Sequence, residues 1–200
     1  MNPLRSVGGT IIGGTVLAVI IAAATSGIHL NAASLIVWVH VLAGITWIGL
    51  LYYFNFVQVP ALGDALADDG GPGGAGITKY VAPRALWWFR WSALLTWLSG
   101  AAYLGHLGRF LHTFTLGTLD GGGTQDLIIG VGAWFGTIML FNVWILIWPN
   151  QKKVLGMVKA SAEEIAKAKN VAFLASRTNT FLSIPMIMSM VGYGHGGFFL

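Results

Sequence analysis

The chain has 200 residues, of which 56% are hydrophobic and only 9% are charged, and its mean hydropathy is +0.72. A soluble domain carries roughly a quarter charged residues, so this composition excludes a soluble globular protein and predicts a membrane domain. The net charge of +4 resides in loops between apolar segments, and we therefore expect no nucleic-acid partner. The absence of cysteine excludes disulfides, iron–sulfur clusters, thiolate-ligated haem and covalent c-type haem.

Five segments are long and apolar enough to cross a bilayer, which takes about 20 residues in a helix. The predicted spans are residues 8–27, 32–57, 84–107, 127–148 and 172–194. The sequence therefore predicts an all-α fold, a polytopic transmembrane bundle of about five helices that forms a single domain over residues 1–200. The first segment follows Arg5, as a secretion signal would, but we interpret it as a retained anchor.

The distribution of basic residues predicts the orientation of the bundle, because cytoplasmic loops carry an excess of Lys and Arg. With a cytoplasmic N-terminus, 10 of the 11 basic residues face the cytoplasm and only Arg109 lies outside. Arg90 lies inside the third span and can extend its side chain to the cytoplasmic interface. The predicted cytoplasmic loops cover residues 58–83 and 149–171, and we expect a multi-pass protein of the bacterial inner membrane.

The two cytoplasmic loops differ in character. Residues 63–78 are rich in glycine and acidic residues, which is typical of a mobile linker. Pro149 is expected to end the fourth span, and Ser161 and Glu164 have the spacing of a capping box, which predicts a short cytoplasmic helix running toward the fifth span. Tryptophans near span ends are interpreted as interfacial anchors, namely Trp38, Trp87, Trp88 and Trp148.

All five histidines map to the outer half of the predicted bundle. At 1.5 Å per helical residue, His40, His106 and His195 lie roughly 30, 33 and 27 Å above the cytoplasmic boundary. His29 and His112 fall in loops or at helix ends, where we expect them to be solvated or interfacial. Because ionisable groups at membrane depth normally face the bundle interior and mark a site, the three helical histidines are candidate ligands.

His40 is the strongest of these candidates, since it lies inside the apolar run WVHVLAGITWIG. Gly44, one turn below, leaves space for a flat macrocycle, and Trp47, two turns below on the same face, can pack against it. Neutral imidazoles suit haem iron, copper and zinc, but zinc and copper usually take three or more clustered donors, whereas haem b needs only two imidazoles. The predicted cofactor is haem b, with His40, His106 and His195 as metal ligands and Gly44 and Trp47 beside it.

Four stretches of the chain are distinctive when read together. They are WVHVLAGITWIGLLYYFNF (38–56), FRWSALLTWLSG (89–100), GAWFGTIMLFNVWILIWPNQKK (132–153) and SRTNTFLSIPMIMSM (176–190). In this order they resemble the membrane domain of the cytochrome c-linked urate oxidase (urate hydroxylase) family, without its cytochrome c domain. The resemblance implies that His40 matches a family histidine and that His195 lies about one position from another. Gly130 stands where the family commonly has a histidine, and His106 is the candidate replacement.

Three functions remain open on the sequence alone. The first, which we favour, is a membrane b-type haem electron-transfer subunit of a larger oxidoreductase, with other membrane subunits, lipid and a periplasmic cytochrome c as partners. The second is a truncated urate hydroxylase-like oxidoreductase that uses a separate cytochrome c. The third is a structural subunit that is free of cofactor or contacts pigments. Asp120 and Asp126, near the outer loop, are expected to be solvated, so no acid–base pair for an enzyme is evident.

Overall fold

The computed structural model describes residues 2–26 and 31–197. These residues form helices, turns and irregular segments with no strand among them, which confirms the predicted all-α fold. Three helices in the described ranges are long and apolar enough to cross a membrane: Val7–Thr25, Ala32–Ala67 and Thr124–Val154. The protein is therefore a membrane protein. The chain divides into two compact units, residues 1–35 and residues 36–200.

The N-terminal unit contains a 3₁₀ turn, Pro3–Arg5, followed by helix α1, Val7–Ser26. Asn2 caps the turn, because its side-chain oxygen accepts a hydrogen bond from the amide of Leu4 at 2.9 Å. The side chains of α1 are apolar or small around its whole circumference, which is typical of a helix in an apolar environment. This helix covers the predicted first span as far as residue 26.

The remaining helices follow in chain order. Helix α2, Ala32–Tyr53, continues through a π-helical segment, Phe54–Gln58, into α3, Val59–Ala67. After an irregular stretch come a π-helical turn, Ile77–Val81, then α4, Ala82–His106, and α5, Phe110–Phe114. Helix α6, Thr124–Phe141, passes through a second π-helical segment, Asn142–Ile147, into α7, Trp148–Val154, and α8 spans Ala162–His195.

Two helices continue past the C-terminal ends of the spans predicted from the sequence, and both do so across a proline. The second predicted span ends at residue 57, whereas the helix continues past Pro60 to Ala67. The fourth was expected to end at Pro149, whereas it continues to Val154. In both cases the proline lies in the first turn after a π-helical segment, where a missing amide proton is tolerated. The predicted linker 63–78 is consequently irregular only in its middle, over residues 68–74.

The predicted short cytoplasmic helix and the fifth predicted span form one continuous helix, α8. Its N-terminus is the predicted capping box: the Ser161 hydroxyl accepts from the Glu164 amide at 3.2 Å, and the Glu164 carboxylate accepts from the Ser161 amide at 2.8 Å. The bond from the Ser161 amide, followed by the charge of Lys153, holds the pKa of Glu164 below its ordinary value. Gly196, with φ of +83°, ends the helix, because a residue in the left-handed region caps a helix most readily when it is glycine.

The core of the second unit lies where α2, α4, α6 and α8 meet. It consists of the following buried side chains: Trp47, Leu51, Phe54, Leu86, Phe89, Ala93, Met139, Val143, Ile147, Ala175 and Met186. Buried amides join α6 and its π-helical extension to α8. Asn142 donates to the side chain of Asn179 at 2.8 Å, and Asn179 donates to the carbonyl of Met139 at 3.0 Å. In lipid such hydrogen bonds help to hold helices together, so they fix α8 against the other helices that line the site described next.

Candidate functional site

A cavity of about 480 Å³ lies among α2, α4, α6 and α8. Pockets for cofactors and small molecules typically measure about 300–1,000 Å³ and have mostly apolar walls with a few polar groups. Most of this wall is apolar, and it includes Met186 and Met190 from α8. Its side chains that carry a polar atom are those of His40, Trp47, Thr96, Trp97, Tyr103, Tyr193 and His195. The cavity therefore has the size and character of a cofactor site.

His40 projects from α2 against α4. Its Nδ1 lies 2.8 Å from the carbonyl oxygen of Thr96. A carbonyl only accepts hydrogen bonds, so Nδ1 carries the proton and Nε2 carries the lone pair. Nε2 has no hydrogen-bond partner within the described residues. An imidazole held in this way is oriented to offer Nε2 to a ligand or a metal.

Helix α4 approaches the imidazole closely because it carries a glycine there. A Cβ added at Gly100 would lie 3.0 Å from His40 Cε1 and 3.3 Å from Nδ1, which is tighter than an ordinary contact. Ser92, Thr96 and Gly100 are spaced four residues apart and present small groups on this face of α4. That spacing is visible in the sequence and could have identified the helix that packs against His40.

His195 lines the same cavity from the last turn of α8. Its Nδ1 lies 2.9 Å from the carbonyl oxygen of Val191, one turn earlier. By the same reasoning its Nε2 keeps the lone pair, although this residue is exposed whereas His40 is half-buried. Two imidazoles from two helices thus line one cavity, and in each of them Nδ1 is hydrogen-bonded to a backbone carbonyl.

The other predicted site residues lie in different surroundings. Trp47 lines the cavity, is only 2% exposed, and its buried Nε1 has no partner in the described part of the chain. Gly44 does not line the cavity, and a Cβ there would meet Thr96 Cγ2 at an ordinary 3.8 Å. His106 is exposed at the end of α4 and is also not among the lining residues. His112 is half-buried in α5, and His29 lies outside the described residues.

The number of side chains that could ligate a metal limits which metal the cavity could hold. Over residues 2–26 and 31–197, no three His, Cys, Asp or Glu side chains are grouped closely enough to hold a metal ion. A three-donor zinc or copper site is thus not seen in that part of the chain. The imidazoles of His40 and His195 line the cavity, and two imidazoles are the number of protein donors that a b-type haem takes.

An ion pair near the cavity corrects the expectation that Asp126 is solvated. The side chain of Asp126 is only 4% exposed, and both of its oxygens pair with Arg109, whose Nε donates at 2.9 Å. Arg109 also donates to the carbonyl of Gly121 at 3.1 Å and 3.2 Å. The hydrogen bond to Asp126 raises the pKa of Arg109. Thus Arg109, the single basic residue predicted on the outer side, closes the loop that connects α5 to α6.

Comparison with known proteins adds one finding. Residues 122–199 match the model of a family described as urate oxidase N-terminal. The matched region comprises α6, α7 and α8, and it includes His195 but not His40 or His106. The predicted resemblance to the urate oxidase membrane domain is confirmed for this region. No curated protein and no solved structure matches the chain.

Proposed function

We propose that the chain is a membrane electron-transfer subunit that binds haem b in the cavity between α2, α4, α6 and α8. One observation carries this proposal: His40 and His195 line the same cavity, and each has its Nδ1 bonded to a backbone carbonyl. Ligand histidines almost always donate their second ring N–H to a carbonyl, carboxylate or water, which fixes the tautomer and the ring orientation. Each imidazole therefore leaves its Nε2 available, which supports ligation through that nitrogen.

The rest of the cavity is compatible with this cofactor. Haem would supply a reversible one-electron carrier. His40 and His195 would hold its iron, and the apolar wall, including Met186 and Met190, would exclude water and so influence the reduction potential. Trp47 closes the cavity on the side of the core.

The site also suggests where electrons are exchanged. His195 is exposed at the end of α8 that the basic residues predict to face the periplasm. We propose that a periplasmic cytochrome c approaches this end, in a bacterial inner membrane, and that other membrane subunits supply the second electron partner. The chain would then belong to a larger oxidoreductase and would not itself transform a substrate.

Spectroscopy of the purified chain tests the proposal. We expect a b-type band in the reduced-minus-oxidised spectrum and extractable haem b. The band should be lost in His40→Ala and lost or shifted in His195→Ala, and added imidazole should restore part of it. His106→Ala is the matched control, because His106 is exposed and away from the cavity, and it should retain the full band. A haem-free wild-type chain, or equal haem content in all three variants, would refute haem ligation by these residues.

The match of residues 122–199 to the urate oxidase family supports a second candidate, a urate hydroxylase-like oxidoreductase. Such an enzyme would pass electrons from urate to a separate cytochrome c. The assay is urate-dependent reduction of added cytochrome c by haem-replete protein, and no reduction above the rate without urate would reject this candidate. If the wild-type chain carries no haem and His40→Ala is fully stable, a structural subunit is the better description.

A further inference from the structure

Two basic side chains from different helices converge on one indole at the start of α7. The guanidinium carbon of Arg90, in α4, lies 3.9 Å from the centre of the Trp148 ring, and the ammonium of Lys152 lies 5.9 Å from it. Cations are attracted to aromatic faces within about 6 Å. Two positive charges therefore lie within about 6 Å of one indole ring, and we call Arg90, Trp148 and Lys152 the cationic clasp.

The positive charges of the clasp have no protein counter-ion in the described part of the chain. The ion pairs found there join Arg109 to Asp126 and Lys153 to Glu164. A guanidinium has five N–H donors. These bonds lie in the plane of the group, so stacking on an aromatic face leaves them available to an acceptor. Arg90 is half-buried, and a long basic side chain near the end of a span places its charge at the membrane interface, where an external anion can reach it.

Arg84 gives an internal comparison on the same helix. Its guanidinium donates to the carbonyl of Tyr80 at 2.7 Å and is exposed. For Arg90 no hydrogen bond is found within residues 2–26 and 31–197. The difference indicates that the acceptor for Arg90 comes from outside the chain.

The surroundings indicate which anion is available. Trp87, Trp88 and Trp91 are between 44% and 48% exposed, and Trp91 packs edge-on against Trp144 at 5.3 Å. Trp87, Trp88 and Trp91 lie within three residues of Arg90 along α4, and Trp144 lies four residues before Trp148. Tryptophan concentrates at the level of lipid headgroups, where the abundant anion is the phosphate of a phospholipid.

We propose that the cationic clasp binds the phosphate group of an anionic phospholipid in the cytoplasmic leaflet. Arg90 contributes the planar fork that matches phosphate oxygens, and Lys152 contributes a second charge. The exposed tryptophans of α4 offer the adjoining apolar surface, and basic pockets on the cytoplasmic side of other bundles bind anionic headgroups in this way. This inference goes beyond the proposed function and is independent of haem binding.

Native mass spectrometry of the full chain in detergent tests the clasp. Phosphatidylglycerol, phosphatidylcholine and inorganic phosphate serve as separate probes. We expect phosphatidylglycerol to bind at least about tenfold more tightly than phosphatidylcholine, and Arg90→Gln to weaken it at least about tenfold. Arg84→Gln is the control and should bind as the wild type does, while Arg90→Lys should fall between because it keeps the charge without the fork.

Three results would overturn the proposal. They are equal binding of the two lipids, equal affinities in Arg90→Gln and Arg84→Gln, and displacement of phosphatidylglycerol by millimolar inorganic phosphate, which would indicate a site for the free anion. Should Arg90→Gln fail to fold, Lys152→Gln replaces it, since Lys152 lies in the short helix α7 away from the core. That variant should lose several-fold in affinity for phosphatidylglycerol, and an unchanged affinity would equally count against the clasp.

Discussion

Substitution of Gly100 by alanine is expected to displace the imidazole of His40, and Gly44→Ala is its matched control. Both glycines lie within helices along the contact between α2 and α4. The new Cβ at Gly100 would lie 3.0 Å from His40 Cε1, whereas at Gly44 the nearest atom is Thr96 Cγ2 at 3.8 Å. Both substitutions change the intrinsic helix preference by the same amount, so the difference between them isolates the contact with the imidazole.

The magnitude follows from the two interactions that the methyl group disturbs. Overpacking in a well-packed region costs about 1–3 kcal/mol, and loss of the bond from Nδ1 to Thr96 costs a further 0.5–1.5 kcal/mol, roughly. The imidazole borders the cavity and can shift into it, which relieves the overlap but breaks the bond. We therefore expect Gly100→Ala to be about 0.5–3 kcal/mol less stable than Gly44→Ala, with the lower values if the imidazole shifts into the cavity.

Reversible unfolding in mixed micelles, followed by circular dichroism, measures the free energy of unfolding of both variants. Haem content under equal loading is the second measurement, and we expect it to fall in Gly100→Ala and to persist in Gly44→Ala. Equal stability of the two variants, or a less stable Gly44→Ala, would refute the described packing of α4 against His40. Reduced stability with unchanged haem content would support the described packing of α4 against His40 but refute ligation through this imidazole.

Three further perturbations follow from the described contacts. Asn179→Ala should cost about 1–3 kcal/mol in the free energy of unfolding, because Asn142 loses its acceptor in a fully buried position. Arg109→Ala should lower the free energy of unfolding, because it leaves the Asp126 carboxylate, which is 4% exposed, without its partner. The pKa of Glu164 is below its ordinary value of 4.5, so its capping contribution is complete above about pH 4.5 and is lost as the pH falls through the lowered value. Protection of the first turn of α8 from amide exchange should fall with it.

Each of these has its own control. Thr178→Ala removes a hydroxyl that bonds only to the carbonyl of Leu174 one turn earlier and should change stability little, so an equal loss in Asn179→Ala would contradict a specific role for the buried amide. Asp126→Ala combined with Arg109→Ala should be more stable than Arg109→Ala alone, and additive losses would argue against the ion pair. Glu164→Gln should remove the pH dependence of amide protection, and a persistent dependence would assign it to another group.

The features that were predictable from the sequence are those set by local patterns. Composition and apolar run length predicted an all-α membrane protein, and the spacing of Ser161 and Glu164 predicted the capping box at the start of α8. His40 stood out because an imidazole inside an apolar run needs a partner. In each case the signal lies within a few residues of the feature.

Features that depend on contacts between distant segments could not be predicted from the sequence. Gly44 was placed beside the cofactor by its spacing from His40, yet the glycine that touches the imidazole is Gly100 on another helix. The partner of His40 Nδ1 is the backbone carbonyl of Thr96, which no side-chain pattern reveals. Asp126 is paired with Arg109, which lies between α4 and α5, and two helices continue past prolines that follow π-helical segments.

The π-helical segment Asn142–Ile147 sets the angular position of the side chains that follow it. Each residue of an α-helix advances the direction of its side chain by about 100°, and a π-helical turn takes up one residue more than an α-helical turn. Replacing the π-helical turn by α-helical winding at unchanged chain length would swing Trp148 and Lys152 through about 100° relative to α4, whereas deleting one residue there would restore regular winding and leave both side chains close to their present direction. In this part of the protein the loss of one residue can therefore be absorbed by a change of winding, and homologous chains should be compared first for insertions and deletions at this point.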